Sequence, residues 1–477
     1  MGNQRSRAAR GLFFGLFISL NCIFISAAAE QDFGPGFGNL PAGMMMEGVN
    51  SGMLNASYWT NYPGGSTLLM SREQIKKFND SNFADPDCNM HILPDMNESF
   101  DGVKLRKDLA SFSDPKGLFL NGEPVPASFY AAIRAQIANA PVSSAMNVGY
   151  GFCVKRCVLR SLPCGEPLAD DVTDPEWDNL ANAAVLFNDP VVAYFTTADG
   201  RFVYVKNECC NGWAPADSIV LCHNKQEWLS AAYPERFLIV TGDKIQTEKS
   251  YVPGHSELTL EMGVKLEICD QGQQVVDNRM NWYNYVVYVP GRGADGLYEK
   301  QEMLIPKGSD VHMGYLPLTQ KNLIGQAYKS LGTRYGWGGS ENAQDCSSFI
   351  RDVYSCFGLT LPRNTTWQSK MHSRKIPLSD LTAAEKKRVL DSLPAGSILE
   401  FPGHEMLYLG TENGKYFTIN DVSSLYLDTE TGAKKYRVRD IVINSLEDTK
   451  RANGHTWLDQ LSIAIIPFQS ENSPETD

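Results

Sequence analysis

Apolar residues recur at three- and four-residue steps after Cys346, which predicts a helix with one buried face. The apolar positions are Phe349, Ile350, Val353, Tyr354 and Phe357, and Gly358 follows as a natural C-terminal stop. Cys346 would then lie in the first helical turn, where the helix dipole and unpaired N–H groups favour a thiolate over a thiol. The pattern makes Cys346 a candidate nucleophile.

Short apolar runs after this helix predict strands. Residues 399–410 read as two short strands with His404 between them, and residues 416–420 read as a third that ends at Asn420. Helices followed by an antiparallel sheet make an α+β domain. A nucleophilic thiol needs a base, and the base needs a group that holds its ring, so Cys346, His404 and Asn420 are the candidate catalytic residues.

Four motifs in this region resemble the NlpC family of cell-wall cysteine peptidases. They are Tyr335–Gly339, Asp345–Phe349, Leu361–Thr365 and Pro402–Gly410. The resemblance covers roughly the last third of the chain and implies a papain-like domain. It makes Cys346 the nucleophile, His404 the general base and Asn420 the orienter of the imidazole. Many relatives have a second histidine where this chain has Asn420, so the amide is a departure in residue type.

The resemblance also implies a set of substrate-binding residues around the nucleophile. They are Tyr335, Trp337, Asp345, Ser347, Asn364 and Thr365. Tyr335 is expected to help bind the reacting carbonyl, and Asp345 and Ser347 to hold amide and amine groups of the substrate. Related enzymes can carry Asp after the Pro-Arg pair, whereas this chain has Asn364. The alternative is that Asn364 only caps a turn and that the cleft is open.

The N-terminus has the pattern of a secretory signal peptide. Arg5, Arg7 and Arg10 precede an apolar run over residues 11–25, and Ala27–Ala29 offers cleavage before Glu30. Lipidation at Cys22 is the alternative, but Asn21 is the wrong preceding residue. No later run approaches the eighteen or so apolar residues of a membrane span. We therefore expect an exported protein, periplasmic or extracellular, without a membrane span.

Charge and cysteine content narrow the remaining classes. The formal net charge of −12 disfavours nucleic-acid binding. Eleven cysteines, without Cys22 and Cys346, leave an odd number, and those near residues 153–164 and 209–222 predict one or two disulfides in an oxidising compartment. Zinc is the alternative, but the paired Cys-x-x-Cys spacing is missing. We expect no metal, no cofactor and a monomer.

Composition and strand-like runs divide the chain into several units. Pieces near Val158–Pro163 and Gly212–Asp217 resemble bacterial SH3-type domains, and a second set of short strands follows. Helical patterns are predicted after Ser71, over residues 126–138 and over residues 381–390. The predicted units are a signal peptide (1–29), a flexible leader (30–50), an N-terminal stabilising segment (51–142), two SH3-like barrels (145–232 and 235–308), an NlpC-type peptidase domain (315–470) and a tail (471–477).

The resemblance implies an exported cysteine endopeptidase that cleaves peptidoglycan stem peptides between γ-D-Glu and a diamino acid. In similar enzymes a first barrel closes one end of the cleft, which predicts a preference for released peptides with a free N-terminal L-Ala. Two alternatives stay open. The chain could be an amidase or acyltransferase that acts on another substrate, or a wall-binding protein without activity.

Overall fold

The structure is a computed structural model, and it describes residues 45–46, 48–270, 274–430 and 432–469. The predicted signal peptide, most of the leader and the tail lie outside these residues. No helix among the described residues is long and apolar enough to cross a membrane.

The N-terminal part of the described chain is mainly helical. Its helices are α1 (Ala56–Thr60), α2 (Arg72–Ala84), α3 (Gly102–Ala110) and α4 (Ala127–Ala138), and its short strands are β1 (Ser99–Phe100), β2 (Phe119–Leu120), β3 (Glu123–Pro124) and β4 (Met146–Asn147). Short 3-10 helices span Ser51–Leu54, Pro86–Cys88 and Leu93–Asp95. Helix α2 begins with the capping box that Ser71 and Gln74 predict, in which each residue bonds the other's backbone N–H.

This helical part does not form a core of its own. Trp59 packs on Phe417 of the C-terminal sheet with ring centroids 5.5 Å apart, and Ile75 belongs to the same core. Tyr130 and Ile133 of α4 instead pack with Phe195, Tyr204 and Trp213 of the β-sheet that follows in the chain. Leu93 belongs to a third cluster, so the segment predicted as one stabilising unit, residues 51–142, is shared among three hydrophobic clusters.

The first β module (residues 149–232) is an antiparallel seven-stranded sheet in the order β11-β5-β8-β9-β10-β6-β7. Its elements are β5 (Gly149–Cys153), β6 (Cys157–Arg160), β7 (Ala181–Val185), β8 (Pro190–Thr196), β9 (Phe202–Lys206), β10 (Asn211–Pro215), a 3-10 helix (Ala216–Ser218), β11 (Ile219–Leu221) and α5 (Lys225–Ala232). It occupies the range of the first predicted barrel, and its SH3-like identity stays a prediction.

The second β module (residues 237–313) has a five-stranded sheet in the order β19-β18-β15-β12-β20. Its strands are β12 (Phe237–Val240), β13 (Lys244–Gln246), β14 (Thr259–Glu261), β15 (Lys265–Ile268), β16 (Val275–Val276), β17 (Arg279–Met280), β18 (Asn284–Arg292), β19 (Tyr298–Pro306) and β20 (Val311–Met313). The pairs β13–β14 and β16–β17 form separate two-stranded ladders.

The C-terminal domain places helices beside a six-stranded antiparallel sheet in the order β21-β26-β22-β23-β24-β25. Its elements are α6 (Gln320–Tyr328), a 3-10 stretch (Trp337–Asn342), α7 (Cys346–Ser355), α8 (Thr365–Gln368), β21 (Arg374–Pro377), α9 (Ala383–Ser392), β22 (Ile398–Phe401), β23 (His404–Glu412), β24 (Lys415–Thr429), β25 (Gly432–Ser445), α10 (Trp457–Gln460) and β26 (Ile463–Ile466). The helix predicted over 381–390 corresponds to α9.

The cysteines differ from the sequence prediction. The ten cysteines within the described residues are all free thiols. Cys153, Cys157, Cys209 and Cys210 pack in the apolar core of the first β module. The predicted disulfides among these cysteines are therefore wrong for this structure, in which the thiols contribute as small apolar side chains.

Candidate active site

Helix α7 begins at Cys346, as the apolar periodicity predicts. Asp345 is its N-cap: Asp345 Oδ1 accepts from the Ser348 backbone N–H at 2.9 Å, and Ser348 Oγ accepts from the Asp345 N–H at 2.8 Å. Phe349 and Ile350 are fully buried on the apolar face of the helix. The buried face and the capping box together fix the thiol at the helix start.

Asp345 has structural partners on both carboxylate oxygens. Arg363 donates from Nη2 to Oδ2 at 2.6 Å and from Nη1 to Oδ1 at 3.1 Å, and the Gly338 N–H donates to Oδ2 at 3.0 Å. Burial opposes ionisation, but Arg363 and the helix start hold the pKa of Asp345 at about 2. Ser347 Oγ donates to the same carboxylate at 3.0 Å. These partners occupy both carboxylate oxygens of Asp345, and its role in holding a substrate amine stays a prediction.

His404 and Asn420 lie in direct contact on neighbouring strands. His404 begins β23 and Asn420 lies on β24, and His404 Nε2 is 2.9 Å from Asn420 Oδ1. Asn420 Nδ2 donates to Asn444 Oδ1 at 2.6 Å, and the latter also accepts from Thr418 Oγ1 at 3.0 Å. Because the Asn420 amide group donates toward Asn444, its oxygen must face the imidazole. His404 then carries its proton on Nε2, which leaves Nδ1 as the basic nitrogen.

The electrostatics differ from the expected thiolate. Burial raises the pKa of Cys346 well above its usual value, and Asp345 and Glu405 add to this effect. The Glu405 backbone N–H faces the sulfur and opposes the rise. Burial also lowers the pKa of His404 to about 4, against the Asn420 hydrogen bond. Both shifts favour the uncharged forms, a thiol on Cys346 and a neutral imidazole on His404, over the thiolate that a helix start alone predicts.

Two cavities meet at Cys346. One, of about 220 Å³, contains His404, Phe401, Trp457 and Arg451. The other, of about 520 Å³, lies on the side of Asp345 and Arg363. We call them the histidine-side cavity and the arginine-side cavity. Cys346, Trp337 and Gly403 line both, so a chain that crosses the thiol would occupy the two cavities in turn.

The remaining predicted binding residues are divided between these cavities. Tyr335 lines the histidine-side cavity, and Ser347, Asn364 and Thr365 line the arginine-side cavity. Asn364 also caps the short helix α8, since its Oδ1 accepts from the Trp367 N–H at 3.1 Å. Asn364 therefore caps a turn and also lines the arginine-side cavity.

Sequence reasoning did not identify several residues of the site. Trp177 of the first β module stacks on Trp337 with centroids 4.6 Å apart and lines the histidine-side cavity. Asn182 and Asn211 of the same module line the arginine-side cavity. Asn444 orients Asn420. No local motif marks these positions, although a buried Asn directly after the apolar run Ile441–Ile443 of β25 is an irregularity in its pattern.

Comparisons with known proteins agree with this geometry. Residues 332–438 match the NlpC/P60 family. An NlpC/P60 domain thus lies in the C-terminal part of the chain. Over 159 residues the chain is 28% identical to the bifunctional muramidase/DL-endopeptidase CwlT of Bacillus subtilis, covering 32% of this chain and 44% of that protein. The chain thus spans less than half the length of this curated relative.

One solved structure extends the similarity of fold beyond the NlpC/P60 domain. A structure of an NlpC/P60 endopeptidase from Photobacterium damselae subsp. piscicida superposes with a TM-score of 0.71 at 17% identity, covering 87% of this chain and 97% of that one. An NlpC/P60 family protein from Bacillus cereus gives a TM-score of 0.46 at 16% identity, covering 67% of this chain and 99% of that one. The first likeness shows a shared fold over most of the chain.

Proposed function

We propose that the protein is an exported cysteine endopeptidase that hydrolyses peptidoglycan stem peptides at the bond between γ-D-Glu and the following diamino acid. The observation that carries this proposal is the Cys346 thiol at a helix start, in one cavity with an imidazole that Asn420 orients. The match to NlpC/P60 over the residues that contain all three side chains supports the same chemistry. The two β modules are proposed to be SH3-like.

The neutral pair sets the order of proton transfers. His404 Nδ1 takes the proton of the Cys346 thiol as the sulfur attacks the carbonyl carbon, and the carbonyl oxygen becomes an oxyanion near the Cys346 N–H and Tyr335. The imidazolium then gives this proton to the leaving amine, and the C–N bond breaks to leave a thioester. Water, deprotonated by His404, attacks the thioester, and the sulfur leaves with a proton from the imidazolium.

The cavities suggest which part of the substrate lies where. His404 must reach the nitrogen of the leaving amine, so the leaving diamino acid belongs in the histidine-side cavity and the acyl part in the arginine-side cavity. Arg451 lines the histidine-side cavity, and no carboxylate pairs with it among the residues that the structure describes. Lys450 on the same wall is paired with Asp428 at 2.6 Å. This cationic wall favours diaminopimelate, which brings an extra carboxylate, over lysine.

The first β module supports a preference for released peptides. Its residues Asn182 and Asn211 form part of the arginine-side cavity, where the N-terminal end of the acyl part would lie. A wall at this end admits a free amine but not a glycan strand. Because Asp345 is fully paired, amide and hydroxyl oxygens such as those of Asn182, Asn364 and Thr365 are proposed to bind the ammonium.

One substrate panel tests the proposal. Purified protein is given L-Ala-γ-D-Glu-diaminopimelate, its N-acetylated form, the lysine analogue and intact sacculi, and the products are identified by mass spectrometry. We expect cleavage of the free diaminopimelate peptide to be fastest. Comparable rates for the N-acetylated peptide would reject the closed end, and comparable rates for the lysine analogue would reject the carboxylate contact.

The nucleophile is tested with the same panel. Cys346→Ser should abolish turnover with an unchanged fold, whereas Cys356→Ser should leave the rate unchanged, since Cys356 is a fully buried core residue. Although burial raises the pKa of Cys346, iodoacetamide should label it first, because this thiol lines both cavities and His404 can accept its proton. Residual turnover in Cys346→Ser would refute the assignment. A wild-type protein that cleaves no stem peptide but is labelled at Cys346 would favour the amidase or acyltransferase alternative, and one with neither property a wall-binding protein.

A further inference from the structure

The ladder between β24 and β25 contains a bulge beside the active site. Val422 pairs with Asp440, but Ser424 pairs with Arg437, so two residues of β25 oppose Ser423 alone. One of the two, Arg439, has a backbone φ of +58°. This left-handed conformation costs a residue with a Cβ about 1–2 kcal/mol, and it persists where the surroundings impose it.

A loop of the first β module holds the side chain of Arg439. This loop, residues 171–178, is part of the connection from β6 to β7, and we call it the docking loop. Arg439 forms ion pairs with Asp174 and Glu176 of the docking loop, and its side chain is only 14% exposed. Arg437 donates to the Thr173 carbonyl at 3.1 Å. The bulge is therefore held from outside the sheet by another module.

The backbone of Arg439 in turn holds Tyr335. The Arg439 carbonyl accepts from the Tyr335 N–H at 2.7 Å. The preceding residues continue the same contact, because Ile441 exchanges backbone hydrogen bonds with Gly332 and Thr333 at 2.9 Å each. An ordinary ladder without the bulge would shift this carbonyl by one residue and turn it away from Tyr335.

The docking loop reaches Tyr335 from a second side. Trp177 lies nearly parallel to the Tyr335 ring, with an interplanar angle of 10° and centroids 6.1 Å apart, and it stacks on Trp337 as well. Arg334, the neighbour of Tyr335, pairs with Glu176 at 2.7 Å. The backbone and the ring of Tyr335 thus both depend on where the docking loop lies.

We propose that Arg439 is a positioning residue that places Tyr335 at the reacting carbonyl, and that it does so only while the docking loop of the first β module is seated. The first β module is then part of the catalytic apparatus, in addition to any role in binding the wall. The catalytic part of this inference rests on the proposed function, whereas the placement of Tyr335 does not.

The test compares variants that break the contact from either side. Arg439→Gly keeps the left-handed backbone but removes the guanidinium, and the pair Asp174→Asn with Glu176→Gln keeps Arg439 but removes its partners. Both should lower kcat about 10- to 100-fold with little change in KM, the range expected when a catalytic contact moves by about 1 Å. Arg388→Gln, a change to a side chain that is 74% exposed, is the matched control and should behave as wild type.

Two further readouts separate positioning from general damage. Alkylation of Cys346 by iodoacetamide needs the thiol and His404 but not Tyr335, so its rate should stay within about twofold of wild type. The near-ultraviolet circular dichroism of the Trp177–Trp337 stack should weaken in both variants toward that of Trp177→Ala. Salt screens exposed ion pairs, and the side chain of Glu176 is 46% exposed. Added salt should therefore lower kcat in the wild type but not in the double variant Asp174→Asn with Glu176→Gln.

Wild-type kcat in either variant would overturn the proposal, and so would an equal loss of Cys346 alkylation, because the defect would then be general. If the wild-type protein cleaves no stem peptide, the proposed function fails, but the dichroism still decides whether the docking loop places Tyr335. An unchanged aromatic spectrum in both variants would reject the placement itself.

Discussion

At the scale of single residues, the site depends on an amide that is itself held by amides. Asn420 and Asn444 are both fully buried, and their mutual hydrogen bond fixes which end of Asn420 faces His404. A buried amide that could rotate would offer His404 a donor in place of an acceptor and select the wrong tautomer. Asn444 therefore acts on His404 through Asn420.

Replacement of Asn420 should show that it acts by orienting the His404 ring, which needs no charged group. Asn420→Ala should lower kcat roughly ten- to a thousandfold, less than loss of the base, and Asn420→His should retain substantial activity because it can also hold the ring. Measured rates on the stem peptide decide this. An alanine variant as fast as wild type would mean that another group orients His404.

The pH profile gives the same residue a second test. The neutral imidazole is the active base, so kcat/KM should fall as the pH drops through the His404 pKa of about 4. Asn420→Asp places a carboxylate beside the ring and raises that pKa, so the acid limb should move to higher pH by about one unit or more. An acid limb that does not move in Asn420→Asp would exclude His404 as the titrating group.

The sequence predicts some of these residues and misses others for physical reasons. Cys346 and His404 stand in recognisable motifs and Asn420 follows on the next predicted strand, although the catalytic roles of all three stay predictions. The state of the thiol was not predictable from the helix dipole, because burial raises its pKa and burial depends on the whole fold. Arg363 lies 18 residues from Asp345, so the ion pair that occupies this carboxylate has no local signature.

At the scale of elements, the strands beside the nucleophile bury two carboxyl groups against each other. Glu400 of β22 and Glu405 of β23 are direct cross-strand partners, and they are 4% and 0% exposed. Burial raises the pKa of both groups, to about 8 for Glu400; the neighbouring Glu400 raises that of Glu405 further, whereas the contact with Glu405 lowers that of Glu400. Strand β23 is buried on both faces from His404 to Leu409, so alternation along its sequence does not reveal which side chains are exposed.

The carboxyl pair should make stability depend on pH. A raised pKa means that the folded state retains protons that the unfolded state releases above about pH 4.3. Stability should therefore fall as the pH rises from there toward the folded-state pKa values, by up to about 1.4 kcal/mol per pH unit and proton. Glu405→Gln should flatten this fall and raise the melting temperature at about pH 8.

Calorimetry between about pH 5 and pH 8 measures the effect, with Glu235→Gln in an exposed loop as the matched control. The control should follow the wild-type curve. A Glu405→Gln variant that melts lower than wild type at both ends of this range would show that the Glu405 carboxyl group stabilises the fold, contrary to this account.

At the scale of the whole molecule, the N-terminal helices connect the modules instead of forming a separate domain. Helices α1 and α2 complete the core of the C-terminal domain, and α4 completes that of the first β module. Local patterns predict that α2 and α4 exist and where they begin, because caps and periodicity are short-range. They do not reveal which sheet covers each apolar face, since that depends on contacts between residues far apart in sequence.

Trp59 tests whether the N-terminal helices are part of the C-terminal core. It is buried, packs on Phe417 and donates from Nε1 to the Met53 carbonyl at 3.2 Å. Trp59→Ala should therefore destabilise the C-terminal core by about 3–5 kcal/mol. Trp282→Ala removes a side chain that is 68% exposed and should change stability by no more than about 0.5 kcal/mol.

Because a protein of several modules need not unfold in one step, the transition to follow is the one that exposes Cys346 to alkylation. That transition should move to lower temperature in Trp59→Ala alone; equal shifts in both variants would mean that the N-terminal helices are not part of the C-terminal core.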